Sequence, residues 1–99
     1  MAMETALRAL SDPGRRRILT LVRDEEHSAG EIAAEFTVSW PAVSQHLRVL
    51  KEAGLVTERR EGTRRFYRAR PEGLDDVRAF LDEFWDDKLE RLKREVERG

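Results

Sequence analysis

The residues with the most chemistry to offer lie in SWPAVSQHLRVL, residues 39–50. Ser44, Gln45, His46 and Arg48 bring a hydroxyl, an amide, an imidazole and a guanidinium together there. These groups suit the base edges of a DNA groove, where Gln bonds bidentately to adenine, Arg to guanine and Ser to either. The same stretch carries Val43, Leu47 and Leu50 at helical spacing. With those three turned inward, a step of about 100° per residue sends Pro41, Gln45 and Arg48 to the opposite face. Trp40, Ser44 and Lys51 fall on one flank, and His46 on the other. Ser39 is a helix-capping residue, and Pro41 suits the first turn, where no N–H is missed. A helix N-terminus placed in this way favours a phosphate.

Catalysis is the weakest reading. Ser44 and His46 stand two apart on a helix and point in different directions. No phosphate-binding glycine loop and no metal triad appears in the sequence. The absence of cysteine rules out a disulfide framework and a thiolate metal site. The 99 residues suffice for one domain with one core, residues 1–99. No apolar run approaches the about 20 residues of a membrane span. The opening MAMETALRAL has neither a charged n-region nor a cleavage pattern, so no signal peptide is read and a cytoplasmic location is expected.

A net charge of −1 argues against a polyanionic partner, but its distribution argues for one. Residues 48–70 hold eight basic and three acidic residues, while residues 71–99 hold six and ten. Local field matters more than the total.

Capping signals mark the elements that must hold these residues. A short helix over residues 4–10 carries Leu7 and Leu10 on one side. Asp12 and Pro13 open a second, with Ile18, Leu19 and Val22 as its apolar stripe. Ser28 and Glu31 fit a capping box, opening a third helix that buries Ile32, Ala33 and Phe36. Thr37-Val38 is a tight connection to the Ser39 helix, and Gly54 ends that helix. A short helix, tight turn and second helix is the helix-turn-helix arrangement. Two strands then flank Glu61-Gly62-Thr63, with Arg59, Arg60, Arg64 and Arg65 around the tip. Pro71 opens the last helix, where Leu74, Val77, Leu81, Phe84, Trp85, Leu89, Leu92 and Val96 recur at three- and four-residue steps. At about 40 Å it exceeds the width of so small a domain. Much of its apolar stripe needs a cover from outside the chain.

In combination, LSDPGRRRIL, SAGEIAAEFTVSWPAVSQHLRVLKEAGLV and RRFYRA resemble the ArsR/SmtB group of bacterial winged-helix repressors, over roughly residues 6–92. The resemblance implies a mainly α winged helix-turn-helix with a small β-hairpin, in the order α-α-α-α-β-β-α. It implies a homodimer through the first and last helices, with 71–99 a dimerisation helix, that binds double-stranded DNA at an inverted repeat and represses transcription. The DNA contacts would then fall to Ser39, Trp40, Pro41, Ser44, Gln45, His46 and Arg48, with Arg59, Arg64 and Arg65 on the wing. The dimer contacts would fall to Leu7, Leu10, Leu74, Val77, Leu81, Phe84, Trp85, Leu89 and Leu92.

Some family features do not carry over. Many relatives sense metals, but SAGEIAAEF lacks their cysteines and no histidine follows His46. Carboxylates alone, such as Asp75, Asp82, Glu83 and Asp86, make a poor transition-metal site, so no metal or cofactor is expected. Thr37 stands where relatives often have glycine, and a β-branched residue dislikes positive φ. Trp40 replaces a smaller polar residue; it could stack on a sugar, meet a thymine methyl, or cover the helix flank. Phe80, Leu81, Phe84 and Trp85 suit a dimer core, or a small organic effector between the long helices. The alternative to a DNA reader is a winged-helix protein-interaction module working through the aromatic-bearing last helix.

Overall fold

The computed structural model describes residues 2–98, and their side chains other than those of residues 2, 87–89 and 98. The elements run α1 (Ala2–Leu10), α2 (Pro13–Leu21), β1 (His27–Ser28), α3 (Ala29–Ala34), α4 (Trp40–Glu52), β2 (Val56–Glu61), β3 (Arg64–Ala69), a 3₁₀ turn (Pro71–Leu74) and α5 (Asp75–Arg98). Helices dominate, and the three strands form one antiparallel sheet in the order β1-β3-β2. This is a winged helix-turn-helix.

The helices start where side chains satisfy their free N–H groups. Asp12 accepts the Arg15 N–H at 3.1 Å. The Ser28 hydroxyl accepts the Glu31 N–H at 3.1 Å, and Glu31 Oε1 accepts the Ser28 N–H at 3.0 Å, completing the capping box. Ser39 accepts the Ala42 N–H at 3.4 Å. Between α3 and α4 the chain turns without a left-handed residue, because no described residue other than glycine has positive φ. Thr37 is therefore tolerated there.

At the far end of α4 the Gly54 N–H donates to the Lys51 carbonyl and the Leu55 N–H to the Leu50 carbonyl, each at 3.0 Å. This paired closure needs a left-handed residue, and Gly54 supplies it at φ 74°. It also swings Leu55 back beside Leu50 in the core. In the hairpin, Glu61 pairs with Arg64, so Gly62-Thr63 is a two-residue loop. Gly62 alone takes positive φ, at 62°, the II′ pattern suited to the twist of paired strands.

Several elements differ from the sequence reading. α1 begins at Ala2, ahead of the expected Glu4, and Glu61, expected in the hairpin turn, belongs to β2. β1 was not expected: His27 pairs with Tyr67 and Ser28 with Phe66. Two residues are too short for any periodicity, and the pairing exists only once β3 is in place. Pro71 opens a 3₁₀ turn, and α5 itself starts at Asp75.

Ile18, Val22, Ile32, Val43, Leu47, Leu50, Leu55, Val56 and Tyr67 form the core, joined by Ala6 and Ala9 of α1. Leu10, Leu74 and Val77, expected at a dimer interface, are partly buried against this core. They sit where α1 crosses the start of α5, within reach of the chain's own apolar centre. Beyond them α5 runs free. Its 24 residues span about 36 Å, and the molecule measures 63 × 25 × 23 Å. Leu7, Phe80, Leu81, Phe84, Trp85 and Leu92 are left about half exposed. Leu89 lies outside the described side chains.

The Gly54 closure is testable. Gly54→Ala forces a Cβ into the left-handed region and should cost about 1–2 kcal/mol. Its added Cβ would meet only the Arg70 guanidinium, at 3.6 Å, so the penalty is conformational. Urea unfolding measures it, and a neutral result would contradict the geometry.

Candidate nucleic-acid interface

α4 sorts its residues by face. Val43, Leu47 and Leu50 are buried, while Pro41, Ser44, Gln45 and Arg48 are exposed. Among the described residues, the side chains of Trp40, Ser44 and Gln45 have no hydrogen-bond partner. Among the described residues Arg48 reaches only Glu52, at 4.0 Å and in the open. Such an exposed pair is worth little and leaves the guanidinium available.

One flank of α4 faces the wing. Trp40, Ser44 and Leu47 form one wall of a groove of about 390 Å³, and Thr63, Arg64, Arg65 and Tyr67 form another. Ser28, Ala29 and Gly30 close its end. The groove brings together Trp40, Ser44, Arg64 and Arg65, four of the residues singled out by type and position. Its lining mixes aromatic, hydroxyl-bearing and arginine residues, a set that can meet a sugar-phosphate strand. Arg64 lies over the Phe66 ring, 4.9 Å from its centre, which presents the side chain from a defined base. Arg60 and Thr63 line a second recess at the hairpin tip with Arg64 and Arg65. Neither had been singled out as a contact.

The base of the wing is joined to α4 through Glu58. Glu58 accepts the Tyr67 hydroxyl at 2.8 Å and the Lys51 ammonium at 3.3 Å. The Tyr67 hydrogen bond, then Lys51, hold its carboxyl below the ordinary value against the opposing effect of burial. Burial, then Glu58, push the Tyr67 hydroxyl up. The sequence reading places this pair wrongly: with Glu61-Gly62-Thr63 as the turn, counting back sets Glu58 opposite Phe66, whereas the two-residue loop sets Glu61 opposite Arg64 and Glu58 opposite Tyr67.

Two expected DNA contacts are occupied elsewhere. Arg59 donates to Glu26 at 2.7 and 3.0 Å and to Glu61 at 3.0 Å. It also lies 4.6 Å from the centre of the Phe66 ring. These carboxylates raise its guanidinium further above the ordinary value. Arg59 thus ties the hairpin to the segment before β1, while its guanidinium shares the Phe66 ring with that of Arg64. Glu26 is 33 residues away, a pairing that only the folded sheet creates. His46 lies on the other flank of α4, 22 % exposed, with Nε2 3.7 Å from the Asp12 carboxylate. Its Nδ1 is buried without a partner among the described residues. It holds α4 against the start of α2.

The comparisons with known proteins agree with this geometry. The family description "Bacterial regulatory protein, arsR family" matches residues 12–58. The chain is 48 % identical over 82 residues to the HTH-type transcriptional regulator Rv2034 of Mycobacterium tuberculosis, covering 83 % of this chain and 77 % of that one. It is 38 % identical over 74 residues to the transcriptional repressor SdpR of Bacillus subtilis, covering 75 % and 82 %. Among solved structures, a possible transcriptional regulator for arsenical resistance is similar with a TM-score of 0.71 at 47 % identity, covering 92 % of this chain and 91 % of that one. An ArsR family transcriptional regulator, RHA00566, is similar with a TM-score of 0.80 at 25 % identity, covering 86 % and 88 %.

The Asp12 contact predicts a pH dependence. The Arg15 amide first, then His46, hold this carboxyl below its ordinary 3.8, with burial opposing them. A lowered pKa contributes stability that is present above 3.8 and lost as pH falls through the folded value. Asp12→Asn keeps a capping acceptor and removes the titration. Thermal melts across this window should show wild type losing stability more steeply than the variant. Parallel curves would contradict the assignment.

Proposed function

The chain belongs to the arsR family of bacterial regulatory proteins, and from that premise we propose that it is a dimeric repressor whose paired α4 helices read an inverted repeat in double-stranded DNA. The observation that carries the proposal is the outer face of α4. Gln45 and Arg48 stand exposed opposite the buried ladder of Val43, Leu47 and Leu50. On this reading Gln45 and Arg48 contact base edges, and Ser39 and the first-turn amides position a phosphate. Trp40 and Ser44 meet the strand that runs through the groove, and Arg64 and Arg65 grip its backbone. Metal-independence is part of the proposal, because the chain offers no thiolate and no histidine after His46.

The stripe on α5 supports a homodimer, because Leu81, Phe84, Trp85 and Leu92 recur at helical spacing and are left about half exposed. Charge supports an antiparallel pairing of α5. Residues 75–87 hold six acidic residues and one basic, while residues 88–98 hold five basic and three acidic. Antiparallel helices set each acidic half against a basic half; parallel helices set like against like. The two α4 helices must then lie about 34 Å apart to enter successive turns of one groove. Taken together, residues 1–99 form a single DNA-binding domain with 71–99 as its dimerisation segment.

Selection of bound duplexes from a random pool, with sedimentation to count chains, tests the proposal. An inverted repeat bound by two chains is the expected result. On the selected duplex, Arg48→Ala should cost about 1–3 kcal/mol and relax base preference at one position in each half. Arg64→Ala should weaken selected and unrelated DNA alike and reduce the salt slope by about one. If Arg48→Ala changes neither affinity nor preference, the outer face of α4 does not read bases.

A further inference from the structure

Glu58 is the carboxylate that DNA reading leaves without a task. It sits in the middle of β2 with its side chain only 11 % exposed, a costly place for a charge unless it is well partnered. It is well partnered. The Tyr67 hydroxyl donates to one oxygen at 2.8 Å, and Lys51 donates to the other at 3.3 Å. Arg60 Nε stands 3.9 Å away, and the charge of Arg65 acts on the same carboxylate. Lys51 belongs to the last turn of α4, and Tyr67 to β3. One covered carboxylate therefore joins the recognition helix to both strands of the wing.

Its place along the hairpin gives the joint its leverage. Tyr67, directly opposite Glu58, is buried, while residues 59–65 beyond the pair are all exposed. Four residues at about 3.3 Å each carry the tip about 13 Å past Glu58, so a swing of about 10° at the joint moves the tip by about 2 Å. A shift of that size breaks a hydrogen bond to DNA. The angle of the wing to α4 is what holds Arg64 and Arg65 across the groove from Trp40 and Ser44.

We propose that Glu58 is a positioning residue: it fixes the wing against α4 and so determines how much the wing arginines add to DNA affinity. This rests on the DNA-reading function proposed above. Glu58 touches no DNA itself and acts through Lys51 and Tyr67.

The test uses the full chain with two probes, a duplex selected by wild type and a shuffled duplex of the same composition. The variants are Glu58→Gln and Lys51→Met, each alone and combined with Arg64→Ala. The two changes shift the net charge in opposite directions, so their generic effects on DNA affinity oppose each other. Positioning predicts the same result for both: affinity for the selected and the shuffled duplex falls several-fold alike. It also predicts that Arg64→Ala loses most of its effect in either background, a coupling that a mere loss of stability would not produce. In the free protein, ¹⁵N relaxation should show larger backbone motion over residues 62–65 in both variants. Lys51 is half exposed, so Lys51→Met keeps the test open if Glu58→Gln fails to fold. An undiminished Arg64→Ala effect in both backgrounds, or unchanged relaxation at the tip, overturns the proposal. A wild-type chain that selects no duplex overturns the DNA reading beneath it. The relaxation comparison needs no DNA and still decides whether Glu58 holds the wing.

Discussion

Val43, Leu47 and Leu50 are buried on one side of α4 to within a few per cent of full cover, and the rest of the site depends on that ladder. Burying each is worth about 1.5–3 kcal/mol. A helix is a rigid rod with a fixed angular step, so setting one face sets the others. The flank carrying Trp40, Ser44 and Lys51 must then meet the wing, and the flank carrying His46 must meet α2. Each flank is closed by a polar contact, Lys51 to Glu58 and His46 to Asp12. The face left over carries Gln45 and Arg48. Its exposure follows from how the core is packed.

Much of this was legible in the sequence because it is local. Asp12, Ser28 and Ser39 cap helices with their own side chains, and Gly54 and Gly62 take the left-handed conformations their turns require. The flanks of α4 follow from arithmetic on a single helix. What escaped depends on residues distant in the chain. β1 exists only as a neighbour of β3. Arg59 reads as one more arginine of a basic hairpin until the fold brings Glu26 beside it. Leu74 and Val77 continue the apolar stripe of α5 in sequence, yet the fold gives them to the core and leaves the residues after them uncovered. Periodicity identifies an apolar face, but which part of it the chain covers depends on where the domain ends.

Composition is a poor guide here because the chain is divided electrostatically. The basic residues gather from α4 through the wing, and the acidic ones along the first half of α5. The near-neutral total hides two stretches of opposite sign. The positive end can attract a polyanion, while the negative stretch of α5 discourages DNA from lying along the apolar stripe. One sequence thus separates a surface suited to nucleic acid from one suited to a second copy of itself.

The central claim is that the outer face of α4 and the tip of the wing form one DNA-binding surface. Amide chemical shifts recorded while duplex DNA is added test it most directly. The account predicts that shifts concentrate at residues 39–48 and 60–65, on both sides of the groove lined by Trp40 and Arg64, and that those of α5 barely move. Shifts centred on α5, or on α4 without the wing, would contradict it.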